Sequence, residues 1–146
     1  MSDFRVLSAT VLASPQIAPA DVSAAKAKGV TLIVNNRPDG EADDQPTGAE
    51  IEAAARAAGL DYLAIPIGGS GFGEPQVRAM ADALARAEGK VLAYCRSGTR
   101  STLLWALAQA QDGRDSEEIA AAAAAAGYDV TPVRAAIDML AARARG

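Results

Sequence analysis

Short runs of sheet-forming residues alternate with longer stretches of helical period along this chain. That alternation points to an α/β domain with a largely parallel central sheet flanked by helices in three layers. Strands are expected at Phe4 to Leu7 and Val11 to Ala13, as one bent strand or a hairpin, and at Thr31 to Asn35, Tyr62 to Ile67 and Val91 to Cys95. The last three should be buried and adjacent.

Helix ends are marked by local chemistry. Pro19 reads as the first helical position before Asp21 to Lys28, with Gly29 as the stop. Thr47 and Glu50 have the spacing of a capping box for a helix ending near Gly59. Pro75 opens a helix with Val77, Met80, Ala81 and Leu84 on one face. Asp115 and Glu118 repeat the capping spacing before the run Ala120 to Ala126, and Thr131 with Pro132 starts a last helix striped by Val133, Ala136, Ile137 and Leu140. With 146 residues, no internal repeat and no linker, a single domain spanning 1–146 is expected, long enough to bury about two-thirds of its surface.

Pro38 to Gly48 and Gly68 to Gly73 read as loops that follow strands. In a parallel sheet both open at the carboxyl edge, where such folds place their sites. The glycines of the second loop do not open a helix as a phosphate-binding fingerprint does, so that loop reads as a lid over the cysteine pocket.

Composition removes whole classes of chemistry. The chain has no histidine and one cysteine, Cys95, which excludes a Ser-His-Asp triad, a Cys-His pair, a histidine-containing zinc site and any intrachain disulfide. A net charge of -4 argues against a nucleic-acid groove, and the longest apolar stretch, Ile119 to Ala126, is far short of the roughly 20 residues of a bilayer span. Asp3 and the missing basic n-region do not suit a signal peptide, so a reducing cytoplasm is the expected location. Glu41, Asp43 and Asp44 lack the alternating spacing of a calcium loop and read as a solvated acidic segment; no metal or other cofactor is expected.

One segment carries chemistry: Tyr94-Cys95-Arg96-Ser97-Gly98-Thr99-Arg100-Ser101, between an apolar strand and a helix starting near Arg100. A strand, a short glycine-containing loop and a helix N-terminus make an anion cradle from backbone N–H groups, the helix dipole and two arginines. A cysteine at its start is expected to react as the thiolate without a histidine base. The candidate catalytic residues are Cys95, Arg100 and Ser101, with Arg96, Ser97, Gly98 and Thr99 forming the anion-binding loop. The amides from Arg96 to Arg100 would hold the transferred group, Arg100 its anionic oxygens, and Ser101 would hydrogen-bond the sulfur.

The loop resembles the active-site loop shared by rhodanese-type sulfurtransferases and cysteine-dependent phosphatases. In those families, phosphatases of the tyrosine and dual-specificity type have five residues between cysteine and arginine, and rhodaneses typically four. Four separate Cys95 from Arg100, and Tyr94 stands where the phosphatase motif usually has histidine. A phosphatase also needs an acid for its leaving group, worth a factor of about 10²–10⁴. Gly68 to Gly73 offers none, leaving Asp39 and Glu74 as possible accessory acids. Arg37 and Asp39 have two readings: a strand-ending turn with Arg37 in a surface ion pair, or a functional pair in which Arg37 borders the anion pocket and Asp39 orients an arginine or acts as an acid.

Ser14-Pro15-Gln16-Ile17, Asn35-Asn36-Arg37-Pro38-Asp39-Gly40-Glu41, Ala64-Ile65-Pro66-Ile67 and the cysteine loop with Leu103-Leu104-Trp105-Ala106-Leu107 together resemble the phosphatase-like domain of the β-lactamase-hydrolase-like proteins. The resemblance implies a dual-specificity-phosphatase-like fold. It also implies a role in sulfide detoxification, since longer members join this domain to a persulfide dioxygenase. The expectation that follows is a sulfurtransferase that carries sulfane sulfur on a Cys95 persulfide, taking it from thiosulfate or a small persulfide and giving it to a thiol acceptor, with a separate persulfide dioxygenase as a possible partner. The alternatives are a phosphatase with a Cys95 thiophosphate intermediate and a redox- or anion-sensing module.

Overall fold

The computed structural model describes residues 2–146. Its five strands are β1 (Arg5–Val6), β2 (Val11–Ser14), β3 (Val30–Asn35), β4 (Asp61–Ala64) and β5 (Lys90–Tyr94), in the spatial order β1-β2-β5-β3-β4. Only β1 is antiparallel, forming a hairpin with β2; the other pairings are parallel. Six helices cover the sheet: α1 (Asp21–Ala27), α2 (Gly48–Ala57), α3 (Glu74–Arg86), α4 (Thr99–Gln111), α5 (Ser116–Ala125) and α6 (Arg134–Arg145), the last preceded by a 3-10 turn at Thr131–Val133.

Alternation along the strands builds the two faces. In β5, Val91 and Ala93 belong to the core under α3 to α6, whereas Leu92 and Tyr94 belong to the core under α1 and α2. The same division separates Val11 and Ala13 from Leu12, and Val34 from Ile33. A strand apolar at every position is thus one buried on both faces. Of the helices, α4 is the most enclosed, with every residue from Ser101 to Ala108 buried and α3, α5 and α6 packed around it.

Local chemistry acts at the expected places, with a few shifts. The Thr47–Glu50 capping box forms at α2, and the Asp115 side chain caps α5 by accepting from the Glu118 amide at 3.1 Å. Pro19 lies outside α1, whose N-cap is Ala20, and Asp21 reaches back to accept from the Ala18 amide at 2.7 Å. Strand β4 is adjacent to β3 as expected, but it is an edge strand and largely exposed; burial resumes only beyond it, at Ile65 and Ile67. Phe72 packs against the core, so the glycine-rich loop is anchored at one end. No helix among the described residues is long and apolar enough to cross a membrane.

Strand register positions the site. Tyr94 is level with Ser14 on one side and Asn35 on the other, and Asn35 is level with Ala64. The residues that follow these four, at 15–16, 95–98, 36–41 and 65–67, therefore emerge side by side at one edge of the sheet.

Candidate active site

Cys95 is the first residue after β5 and is fully buried. The chain then turns sharply, and Gly98 adopts φ +93° as the N-cap of α4. That left-handed conformation favours glycine, and it aims the Gly98 N–H at the Cys95 sulfur, which accepts it at 3.2 Å. Thr102 closes the first turn of α4, its hydroxyl donating to the Gly98 carbonyl at 2.8 Å. The sulfur thus faces a helix N-terminus whose helix is sheathed in apolar side chains, where partial charge is weakly screened.

Arg100 projects from the first turn of α4 and is held from two directions. Its Nη1 donates to Glu41 Oε2 at 2.6 Å and to the Ile67 carbonyl at 2.8 Å, and its Nη2 donates to Glu41 Oε1 at 2.9 Å. Arg37, 6% exposed, donates through Nε to the same Glu41 Oε1 at 2.9 Å and through Nη1 to Gln16 Oε1 at 3.0 Å. The Arg100 guanidinium, with help from Arg37 and against an opposing push from burial, holds the Glu41 carboxyl down at about 2. Glu41 in turn raises the Arg100 guanidinium above its ordinary value.

Glu41, Asp43 and Asp44 lie in an exposed segment as expected, but the Glu41 carboxylate is paired with both Arg37 and Arg100. The sequence signal was its i,i+4 spacing from Arg37, which gains meaning only once the first turn of α4 brings Arg100 alongside. Gln16 was likewise quoted only within a family segment, yet it ties the β2 exit to the cysteine loop: its backbone N–H donates to the Arg96 carbonyl at 3.2 Å. Arg37 is buried rather than at the surface, and it makes an ion pair with Glu41 and a hydrogen bond to Gln16 beside the cysteine loop.

Other candidates fall elsewhere. Asp39 Oδ1 accepts from the Gly48 amide at 2.8 Å, at the start of α2, and touches neither arginine. Glu74 is exposed at the start of α3 and pairs with Arg78 one turn on. Ser101 is buried, but its hydroxyl donates to Asn36 Oδ1 at 2.7 Å instead of to the sulfur, and Asn36 Nδ2 passes the chain on to the Ile65 carbonyl at 2.9 Å. Of the loop amides, Gly98 meets the sulfur while Thr99 donates to Ser97 Oγ at 3.2 Å. Arg96 is exposed to solvent. Tyr94 points to the opposite face of the sheet, where burial pushes its phenol up and keeps it neutral.

Residues 3–112 match the family model described as the phosphatase-like domain of beta-lactamase hydrolase-like protein. The chain belongs to that family. It is 43% identical over 105 residues to the beta-lactamase hydrolase-like protein of Agrobacterium fabrum, an alignment covering 72% of this chain and 24% of the relative. The chain thus spans about a quarter of the length of the curated relatives it matches. The crystal structure of a candidate phosphatase from Neisseria meningitidis superposes with a TM-score of 0.81 at 33% identity, covering 93% of this chain and 96% of the other. TpbA of P. aeruginosa, crystallised with phosphotyrosine, shares the fold with a TM-score of 0.66 at 20% identity, covering 99% and 91% of the two chains. The fold is that of the cysteine phosphatases, and the domain is phosphatase-like. Sulfur transfer, the first expectation from loop size, receives no support from these likenesses.

Proposed function

We propose that the domain is a cysteine-dependent phosphatase that carries the phosphoryl group transiently on Cys95. The observation that carries this reading is the Gly98 amide on the Cys95 sulfur at the mouth of α4, with Arg100 in the first turn of the same helix. The family's phosphatase-like domain supports it. In the first step the thiolate attacks phosphorus; the S–P bond forms as the bond to the ester oxygen breaks, and that oxygen leaves with the electron pair. Water then attacks the thiophosphate, the S–P bond breaks, and phosphate and the thiolate are released. Arg100 binds two phosphoryl oxygens in its fork, exchanging Glu41 for substrate.

Leaving-group chemistry sets the substrate class. Glu41, held ionised, has no proton to give at neutral pH, and Asp39 and Glu74 are engaged elsewhere. Phosphate esters whose leaving oxygen is a stable anion, such as aryl phosphates, therefore suit the site best.

A second reading is favoured by the four-residue loop and by this same lack of a free acid. In sulfur transfer the Cys95 thiolate attacks the outer sulfur of thiosulfate, the S–S bond breaks, sulfite leaves unprotonated, and an acceptor thiolate later removes the sulfur from Cys95. Intact-protein mass spectrometry after separate incubations with p-nitrophenyl phosphate and thiosulfate tests both readings. Phosphate release that is lost in Cys95→Ser supports the phosphatase. A stable single-sulfur adduct on Cys95 without phosphate release assigns sulfur transfer instead. Peroxide oxidation of Cys95 with neither turnover overturns both in favour of a sensing module.

A further inference from the structure

Residues beyond the family match reach into the cysteine loop. Tyr128, in the connection between α5 and the 3-10 turn, is 8% exposed, and its hydroxyl donates to the Ser97 carbonyl at 3.1 Å. The Ser97 carbonyl and the Gly98 N–H belong to one peptide unit. The N–H end of that unit holds the Cys95 sulfur at 3.2 Å, so Tyr128 grips the opposite end of the very group that faces the sulfur. The ring is itself held, with the Arg5 guanidinium 5.2 Å from its centroid and Arg5 Nη1 donating to the Ala126 carbonyl at 3.4 Å.

The peptide unit needs such a grip. A loop that turns its amides inward turns the matching carbonyls outward, and at Ser97 the Tyr128 hydroxyl supplies the donor for that carbonyl. Gly98 is the residue best able to let this unit rotate, because glycine tolerates both signs of φ. The hydroxyl also fills the space a side chain would occupy: a Cβ at Gly98 would overlap the Tyr128 hydroxyl and lie 2.8 Å from its Cζ. The two residues thus define each other, the missing side chain admitting the phenol and the phenol fixing the backbone.

We infer that Tyr128 is a positioning residue of the active site, which acts through the Ser97–Gly98 peptide unit to keep the Gly98 N–H on the Cys95 sulfur. The inference rests on Cys95 being the reacting group of the proposed function. Alkylation of the sulfur reads it independently of which group is transferred. The charged and titratable groups that face the sulfur are Arg100 from α4 and Tyr128 itself, and neither changes charge when the phenol becomes a phenyl ring at neutral pH.

Tyr128→Phe keeps the ring and removes only the donor. Loss of one hydrogen bond to the loop should slow iodoacetamide alkylation of Cys95 at pH 7 by roughly three- to tenfold. The pH–rate profile of alkylation should move to higher pH, and kcat should fall with KM nearly unchanged. The Gly98 amide should exchange faster in NMR, with α4 interior amides still protected. A folded Tyr128→Phe protein with the wild-type alkylation profile and the wild-type Gly98 exchange rate overturns the inference. Should the variant not fold, wild-type exchange decides: a slowly exchanging Gly98 amide supports the inference, and one that exchanges as fast as the exposed Arg96 amide refutes it. If phosphate release is absent while the alkylation profile still shifts, the positioning role stands and the phosphatase reading falls.

Discussion

The Glu41 carboxylate spans both terminal nitrogens of Arg100, at 2.6 and 2.9 Å, so the fork that would bind substrate oxygens is already filled by a residue of this chain. The same carboxylate takes Arg37, and one negative charge thereby holds two guanidiniums in place. In the proposed reaction substrate would have to displace that carboxylate, so Glu41 acts both as a support for Arg100 and as the ligand to be exchanged.

Arg100→Lys should lower kcat/KM for an aryl phosphate by about 10²-fold or more. Lysine keeps the charge but loses the planar fork that pairs with two oxygens. A steady-state assay of the two proteins checks this. Activity within a few-fold of wild type would mean that charge alone suffices.

Glu41→Gln should strengthen competitive inhibition by inorganic phosphate several-fold, because a neutral amide competes less well for Arg100. It should also change the acid response. The carboxyl lies at about 2 in the folded protein against 4.5 ordinarily, so folding favours its ionised form. That stabilisation is fully present above about pH 4.5 and is lost as pH falls through about 2. Wild-type thermal stability should therefore drop more steeply than that of Glu41→Gln across this window, by a modest amount because the pair is partly open to water.

Asp39→Asn should leave aryl phosphate turnover within about twofold of wild type. The amide oxygen still accepts from the Gly48 N–H, and no proton donor is lost to the site. A fall toward the 10²-fold scale of a missing general acid would return Asp39 to the mechanism.

Gly98→Ala should cost about 1–3 kcal/mol of stability and most of the activity. Its backbone has φ +93°, and the added Cβ would meet the Tyr128 hydroxyl. Thermal melting and Cys95 alkylation measure the two effects separately.

The cysteine loop was legible in the sequence because it is contiguous. Strand, glycine turn, helix cap and arginine lie within Val91 to Ser101, and each depends only on near neighbours. The capping box of α2 was legible for the same reason. The partners of the loop were not. Glu41 looked like solvated acid, Ser101 like a donor to sulfur, and Tyr128 carried no signal at all. Edge strand β4 was misjudged as buried because an apolar run does not reveal how many neighbours its strand has.

An α/β sheet, a lone cysteine without histidine and a Cys95-to-Arg100 loop at a strand-to-helix junction all follow from residues close together in the chain. Tertiary structure alone decided what that loop touches. Placing β5 between β2 and β3 with Ser14, Tyr94 and Asn35 level brought Gln16, Arg37 and Glu41 to the loop, and packing α5 beside α4 brought Tyr128. The difference is one of range: periodicity and caps are set over a few residues, whereas strand order and register come from burying two faces of one sheet at once.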